Sequence, residues 1–205
     1  MKIKICGLTD KREAACLNRH GADFAGFVLF YPKSRRNNTI SQAREIMDEL
    51  APGIKRVAVV VSPTKEQITE IEQAGFDYIQ IHGELSQELL SHISLPVLRA
   101  FNVSDMDAYE QYRHNDQIAG YVFDASEPGS GTTFDWTMVK RLPRDEKPLF
   151  LAGGLRPDNV SQAIETVHPD GVDVSSGVEY EGRPGKDPEK IAEFISVVRE
   201  FYCRK

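Results

Sequence analysis

The stretch GVDVSS, residues 171–176, sets the apolar Val172 and Val174 on one face of an extended segment and the polar Asp173 and Ser175 on the other. Near the start of the chain the same alternation places Ile3 and Ile5 opposite Lys2, Lys4 and Cys6, and at 78–82 it places Ile79 and Ile81 opposite Tyr78, Gln80 and His82. Strands of an open, doubly wound sheet are covered by helices on both faces and read apolar on both. A closed barrel has helices only outside, so its outward residues are apolar while its small lumen takes a few mutually paired polar groups. These segments favour the barrel. Parity also sends Lys4 inward, one layer below Cys6, where a lone ammonium is costly to bury. Asp173 has the inward parity on the strand that neighbours the first when a barrel closes, which makes it the expected partner.

Outward from these segments, short β-rich runs near 2–6, 24–30, 56–61, 78–82, 96–100, 120–124, 148–152 and 171–175 alternate with helical ones near 10–19, 41–50, 64–74, 86–93, 104–113, 135–141, 157–166 and 187–202. Thr64 and Ser104 read as N-caps. Eight βα units in 205 residues, about 26 each, predict a single (β/α)8 TIM barrel domain of minimal size over 1–205.

With 40% hydrophobic and 27% charged residues, the chain has the profile of a globular protein with a sizeable core, which excludes intrinsic disorder and a coiled coil. The longest apolar stretch, 24–31, is far short of the roughly 20 residues a membrane helix needs, and the N-terminus reads as no signal peptide. Twenty-five basic against 31 acidic side chains, a net charge of −6, supply no basic stripe for nucleic acid. Cys6, Cys16 and Cys203 cannot all pair and lie at no metal-finger spacing, and the five histidines are scattered, so neither a disulfide scaffold nor a metal site is expected. Free thiols suggest the cytoplasm.

In such a barrel chemistry gathers at the C-terminal strand ends, with phosphate held by the loops after strands 7 and 8. Gly153 and Gly154 follow the seventh strand; Ser175, Ser176 and Gly177 follow the eighth. Glycines let backbone N–H groups approach an anion, and small hydroxyls add donors. Either loop alone is equally a tight turn; together they point to phosphate. Cys6, His82 and Asp124 end the first, fourth and sixth strands. A thiol and a carboxyl facing each other across the mouth are suited to moving a proton on a sugar, with the thiol pKa lowered from about 8.5 toward neutrality. Lys4, within roughly 7 Å of Cys6 along the strand, contributes to that lowering. Cys6 taken alone reads equally as a small buried hydrophobe, His82 first as a structural histidine, Asp124 alternatively as a turn cap, and Cys16 and Cys203 as bystanders on helices. The glycine-rich loop 125–136 has the length of a lid, and Asp135 reads as the N-cap of the sixth helix.

The segments KICGLT (4–9), FYPKSRR (30–36), IQIHGE (79–84), VFD (122–124), GSGTTFDW (129–136), LAGGLRPDNV (151–160) and VDVSSGVE (172–179), in this order, resemble the phosphoribosylanthranilate isomerase family of tryptophan biosynthesis. The resemblance runs from about residue 3 to 188. It implies a (β/α)8 barrel, no cofactor, a small phosphosugar substrate, a monomer or homodimer, and an Amadori rearrangement of N-(5'-phosphoribosyl)anthranilate. Position by position it makes Cys6 the general base and Asp124 the general acid. Arg36 would hold the anthranilate carboxylate, and Gly153, Gly154, Ser175, Ser176 and Gly177 the phosphate, with His82 and Asp173 counted among the substrate-binding residues. Arg35 stands where the family often has proline or lysine. A related phosphosugar enzyme, such as an indole-forming synthase or an epimerase, asks instead for lysine or paired acids at strand ends; a non-catalytic barrel would keep the glycine loops without acid and base.

Overall fold

The computed structural model describes residues 1–102, 108–124 and 135–203. Eight parallel strands form the barrel: β1 (Lys2–Cys6), β2 (Phe24–Leu29), β3 (Lys55–Val61), β4 (Tyr78–His82), β5 (Val97–Asn102), β6 (Ile118–Asp124), β7 (Leu149–Leu151) and β8 (Gly171–Val174). Each pairs in parallel with its sequence neighbour, and β1 pairs with both β2 and β8, which closes the sheet. Lys4 lies in register with Phe24 on one side and Asp173 on the other. A two-residue strand, Asn37–Asn38, adds to the end of β2 and was not foreseen; its Asn38 side chain donates to the Leu8 carbonyl and ties the β2 loop to β1.

The parity argument holds residue by residue. Ile3, Ile5, Ile79, Ile81, Val172 and Val174 are buried in the layer between strands and helices, whereas Lys4, Gln80, His82 and Asp173 are buried polar groups. Phe24 packs edge-on against Tyr78 and Phe150, ring centroids 5.6 and 5.4 Å away, and fills the end of the lumen where strands begin. Polar chemistry is thereby confined to the other end.

The helices are α1 (Lys11–His20), α2 (Ile40–Met47), α3 (Lys65–Ala74), α4 (Gln87–Leu90), α5 (Tyr109–Arg113), α6 (Thr137–Lys140), α7 (Val160–Val167) and α8 (Pro188–Cys203). Asp10, Thr39 and Thr64 each close a capping box, accepting from an orphan backbone N–H while a Glu or Gln side chain three residues on reaches back. Helices α4 and α6 are shorter than the sequence periodicity suggests. Asp135 Oδ1 accepts from the Thr137 N–H at 3.0 Å, one residue earlier in the turn than a formal N-cap. The Ser104 cap and the expected lid, apart from Asp135 and Trp136, lie outside the described residues.

Candidate active site

The polar end of the lumen opens into a cavity of about 540 Å³ that all of the expected site residues except Gly177 line. Beneath it, Lys4 Nζ donates to Asp173 Oδ2 at 2.8 Å, with the two side chains 0% and 6% exposed. The predicted buried pair therefore exists. Asp173 Oδ1, also buried, has no hydrogen-bond partner among the described residues.

Cys6 sits directly above. Its Cα is in register with Gly26 of β2, and a Cβ on Gly26 would lie 2.8 Å from Cys6 Sγ and 3.0 Å from Lys4 Nζ. The thiol and the ammonium thus share the space that glycine leaves open. Burial pushes the Cys6 thiol up, Lys4 pulls it down, Asp173 pushes it up again, and the net direction is upward. This corrects the expectation of a thiol lowered toward neutrality: two cations, Lys4 and Lys186, do not fully offset the loss of water.

His82, at the end of β4, accepts at its Nε2 a 2.9 Å hydrogen bond from Gln80 Nε2. Burial, with Lys4 and Arg99 adding like charge, holds its pKa down to about 3, so the ring is neutral. Gln80 is 2% exposed, lines the cavity and carries an unpartnered Oε1. Its inward parity was visible in the sequence; its role at the site was not read from it.

The two glycine-bearing loops are interlocked. Gly153 and Gly154 adopt φ of 83° and 65°, a region that side chains disfavour, and a Cβ on Gly177 would fall 1.9 Å from the Leu155 carbonyl oxygen. Gly177 is therefore the contact that lets the β7 and β8 loops touch, set behind the cavity wall rather than on it. The wall itself presents Gly153, Gly154, Ser175 and Ser176. Ser175 differs from expectation in one respect: its hydroxyl donates to the Cys6 carbonyl at 2.9 Å and accepts from Lys186 Nζ at 3.2 Å. It holds β8 to β1 beside Cys6.

Arg36 is 13% exposed at its side chain and is engaged by Glu179, Nε to Oε1 at 2.6 Å and Nη2 to Oε2 at 3.2 Å. Arg35 also reaches Glu179. Lys186 Nζ completes the cluster, 3.1 Å from Glu179 Oε1 and 3.0 Å from the Ser175 carbonyl. Burial pushes the Glu179 carboxyl up, but Arg36 and Lys186 outweigh it and hold its pKa at about 2. Glu179 and Lys186 escaped the sequence reading because no periodicity announces them; they face each other across an antiparallel bridge in the segment between β8 and α8.

Among the described residues no group of His, Cys, Asp and Glu is placed to hold a metal ion, and no helix is long and apolar enough to cross a membrane.

A closed parallel barrel with a thiol and a carboxyl at strand ends, opening onto an interlocked glycine cradle, defines a class: barrel enzymes that move protons on small phosphorylated substrates. The chain belongs, within that class, to the N-(5'-phosphoribosyl)anthranilate isomerase family. The family model described as N-(5'phosphoribosyl)anthranilate (PRA) isomerase matches residues 3–197. The N-(5'-phosphoribosyl)anthranilate isomerase of Geotalea uraniireducens is 42% identical over 203 residues, 95% of this chain and 96% of the relative. The phosphoribosyl anthranilate isomerase structure from Thermotoga maritima superposes with a TM-score of 0.87 at 37% identity, covering 98% of this chain and 99% of that one. A further solved phosphoribosyl anthranilate isomerase, in complex with reduced 1-(o-carboxyphenylamino)-1-deoxyribulose 5-phosphate, gives a TM-score of 0.81 at 36% identity over 98% and 99% of the two chains.

Proposed function

We propose that Cys6 is the general base and Asp124 the general acid with which this chain performs the reaction of its family. That reaction is the Amadori rearrangement of N-(5'-phosphoribosyl)anthranilate to 1-(2-carboxyphenylamino)-1-deoxyribulose 5-phosphate in tryptophan biosynthesis. The observation that carries the assignment is that the ends of β1 and β6 deliver a thiol and a carboxyl to one cavity whose rim is the glycine cradle.

Asp124 gives a proton to the ribose ring oxygen as the C1–O bond breaks, and the nitrogen lone pair forms a protonated Schiff base. Cys6, as thiolate, takes the C2 proton; the C–H electron pair becomes the C1=C2 bond and the iminium pair returns to nitrogen. The resulting enolamine loses its hydroxyl proton and gains one at C1 to become the ketone. The iminium acidifies C2, so the base need not be strong. A raised thiol pKa makes Cys6 a better proton acceptor once ionised, at the cost of a smaller thiolate fraction.

The phosphate binds, in this reading, against Gly153, Gly154 and Ser176, which is supported by their lining the cavity and by backbone N–H groups that donate to no loop or turn carbonyl among the described residues. The anthranilate carboxylate binds, in this reading, at Arg36, which is supported by an Nη1 that Glu179 does not use. Residues 1–205 are read as one barrel domain, since β1 pairs with β8 near the other end of the chain. Buried free thiols Cys6 and Cys16 suit a reducing, cytoplasmic setting. The test is the loss of anthranilate fluorescence with freshly prepared substrate; wild-type protein without turnover, or a Cys6→Ser variant with undiminished turnover, overturns the assignment.

A further inference from the structure

Lys4 is used by none of the steps above, although a fully buried ammonium is costly to keep. Its place is specific. It is on the same inward face of β1 as Cys6, crowds the same open side of Gly26 as the Cys6 thiol, and is held from the far side by Asp173 of β8 at 2.8 Å. We propose that Lys4 is a positioning residue that serves as counter-ion to the Cys6 thiolate, and that Asp173 competes with the thiolate for the same ammonium. The proposal rests on Cys6 being the base.

The competition gives the arrangement a chemical purpose. An ammonium devoted to the thiolate alone would stabilise it so far that it became a weak base. With Asp173 on its other side, Lys4 supports the thiolate while the proton is still on C2. When Cys6 becomes a thiol, Lys4 falls back on the carboxylate, and a buried ion pair remains in place of an unpaired cation. Proton transfer to sulfur therefore leaves no isolated charge in the lumen. Glycine at 26 is part of the device, because a side chain there would occupy the space in which thiol and ammonium meet.

The other charged or titratable groups around Cys6 are Lys186 from the segment after β8, Lys33, Arg35 and Arg36 from the loop after β2, His82 from β4 and Asp124 from β6. Changing Lys4 to an uncharged residue of similar length keeps all of these groups in the protein; of them His82 also feels Lys4, but burial is the first cause that keeps its ring neutral. Burial opposes Cys6 ionisation, Lys4 favours it and Asp173 opposes it, which fixes the signs of the variants.

The experiment is the pH titration of Cys6 in the intact protein, by iodoacetamide alkylation and thiolate ultraviolet absorbance, each differenced against Cys6→Ser. Lys4→Met moves the thiol inflection upward and slows alkylation near neutral pH by about ten- to a hundredfold, the effect of one unit charge at a few ångströms in a partly screened interior. Asp173→Asn moves the inflection the opposite way and speeds alkylation. Should either single variant fail to fold for want of its partner, the double variant Lys4→Met with Asp173→Asn buries no unpaired ion. Its inflection lies above the wild-type value, because Lys4 acts on the thiol more strongly than Asp173 does. An unchanged or lowered inflection on loss of Lys4, alone or in the double variant, overturns the proposal. Turnover retained in Cys6→Ser removes the base assignment instead, while the titration still reports on the counter-ion.

Discussion

On the β8–β1–β2 side of the barrel the strands are covered by long helices, α1 of 10 residues and α8 of 16, and the lumen behind them is wired by charge. On the β5–β6 side α5 and α6 have 5 and 4 residues among the described ones. There Phe101, Tyr109, Tyr121 and Phe123 do the covering, with Tyr109 at 4.9 Å from Tyr121 and Phe101 stacked on Phe123 at 5.4 Å. The hydroxyls of Tyr109 and Tyr121 reach the Pro143 carbonyl and Asp145, so the rings also fasten the loop that leads to β7. A barrel strand needs apolar area outside it, and a few large rings supply what a second helical turn would. Cys6 stands at the end of the charged side and Asp124 at the end of the aromatic one. Their environments are built from different forces and are damaged by different substitutions.

In catalysis the two sides are expected to be equal. Cys6→Ser and Asp124→Asn each lower kcat by about 10²- to 10⁴-fold with the fold retained, since a positioned acid or base contributes that much; circular dichroism with the fluorescence assay checks both, and a variant that turns over normally ends the symmetry. In stability they part. Phe101→Ala destabilises by about 3–5 kcal/mol through the cavity left among the rings, seen as a lower denaturation midpoint, while KM of the folded fraction changes little. A large rise in KM instead would show that the aromatic side shapes the substrate site directly.

A smaller effect is expected at the cradle. Gly154 has φ of 65°, so Gly154→Val strains the turn and raises KM by about tenfold with less change in kcat; product bound as tightly as in wild type would reduce the loop to a connector. The smallest effect is in acid. The folded Glu179 carboxyl, near 2, lies below its ordinary value of 4.5, so the stability it contributes is present above about pH 4.5 and lost as pH falls toward about 2. Glu179→Gln flattens that loss in denaturant titrations across the window. A variant as steep as wild type there would show that the cluster adds nothing on the charged side.

The sequence made the strands legible because period-two alternation is enforced wherever one face meets helices and the other a lumen; Ile3, Ile5, Val172 and Val174 could not have been placed otherwise. The same parity located the Lys4–Asp173 pair. On the β5–β6 side the length of α6 was less legible, since ring area replaces turns and leaves no periodic trace. Around the arginines it failed for a different reason. Glu179 and Lys186 are brought to Arg36 by an irregular segment whose path depends on the finished barrel. The direction of the Cys6 shift was missed because it is a balance of desolvation against charges on three separate elements, which no local pattern records.

The Lys4–Asp173 bond joins residues 169 positions apart. At roughly 5–20 residues per second on the ribosome, Lys4 and Cys6 wait on the order of 10–30 s before Asp173 is synthesised. Until then β1 has only one neighbour to pair with, and its ammonium has no reason to leave water. Closure of the cylinder is thus a late event with high contact order, and the Cys6 thiol acquires its environment in the same step that seals the sheet. The nascent chain carries Cys6 early, but the thiol meets the closed Lys4–Asp173 pair only when the last strand docks.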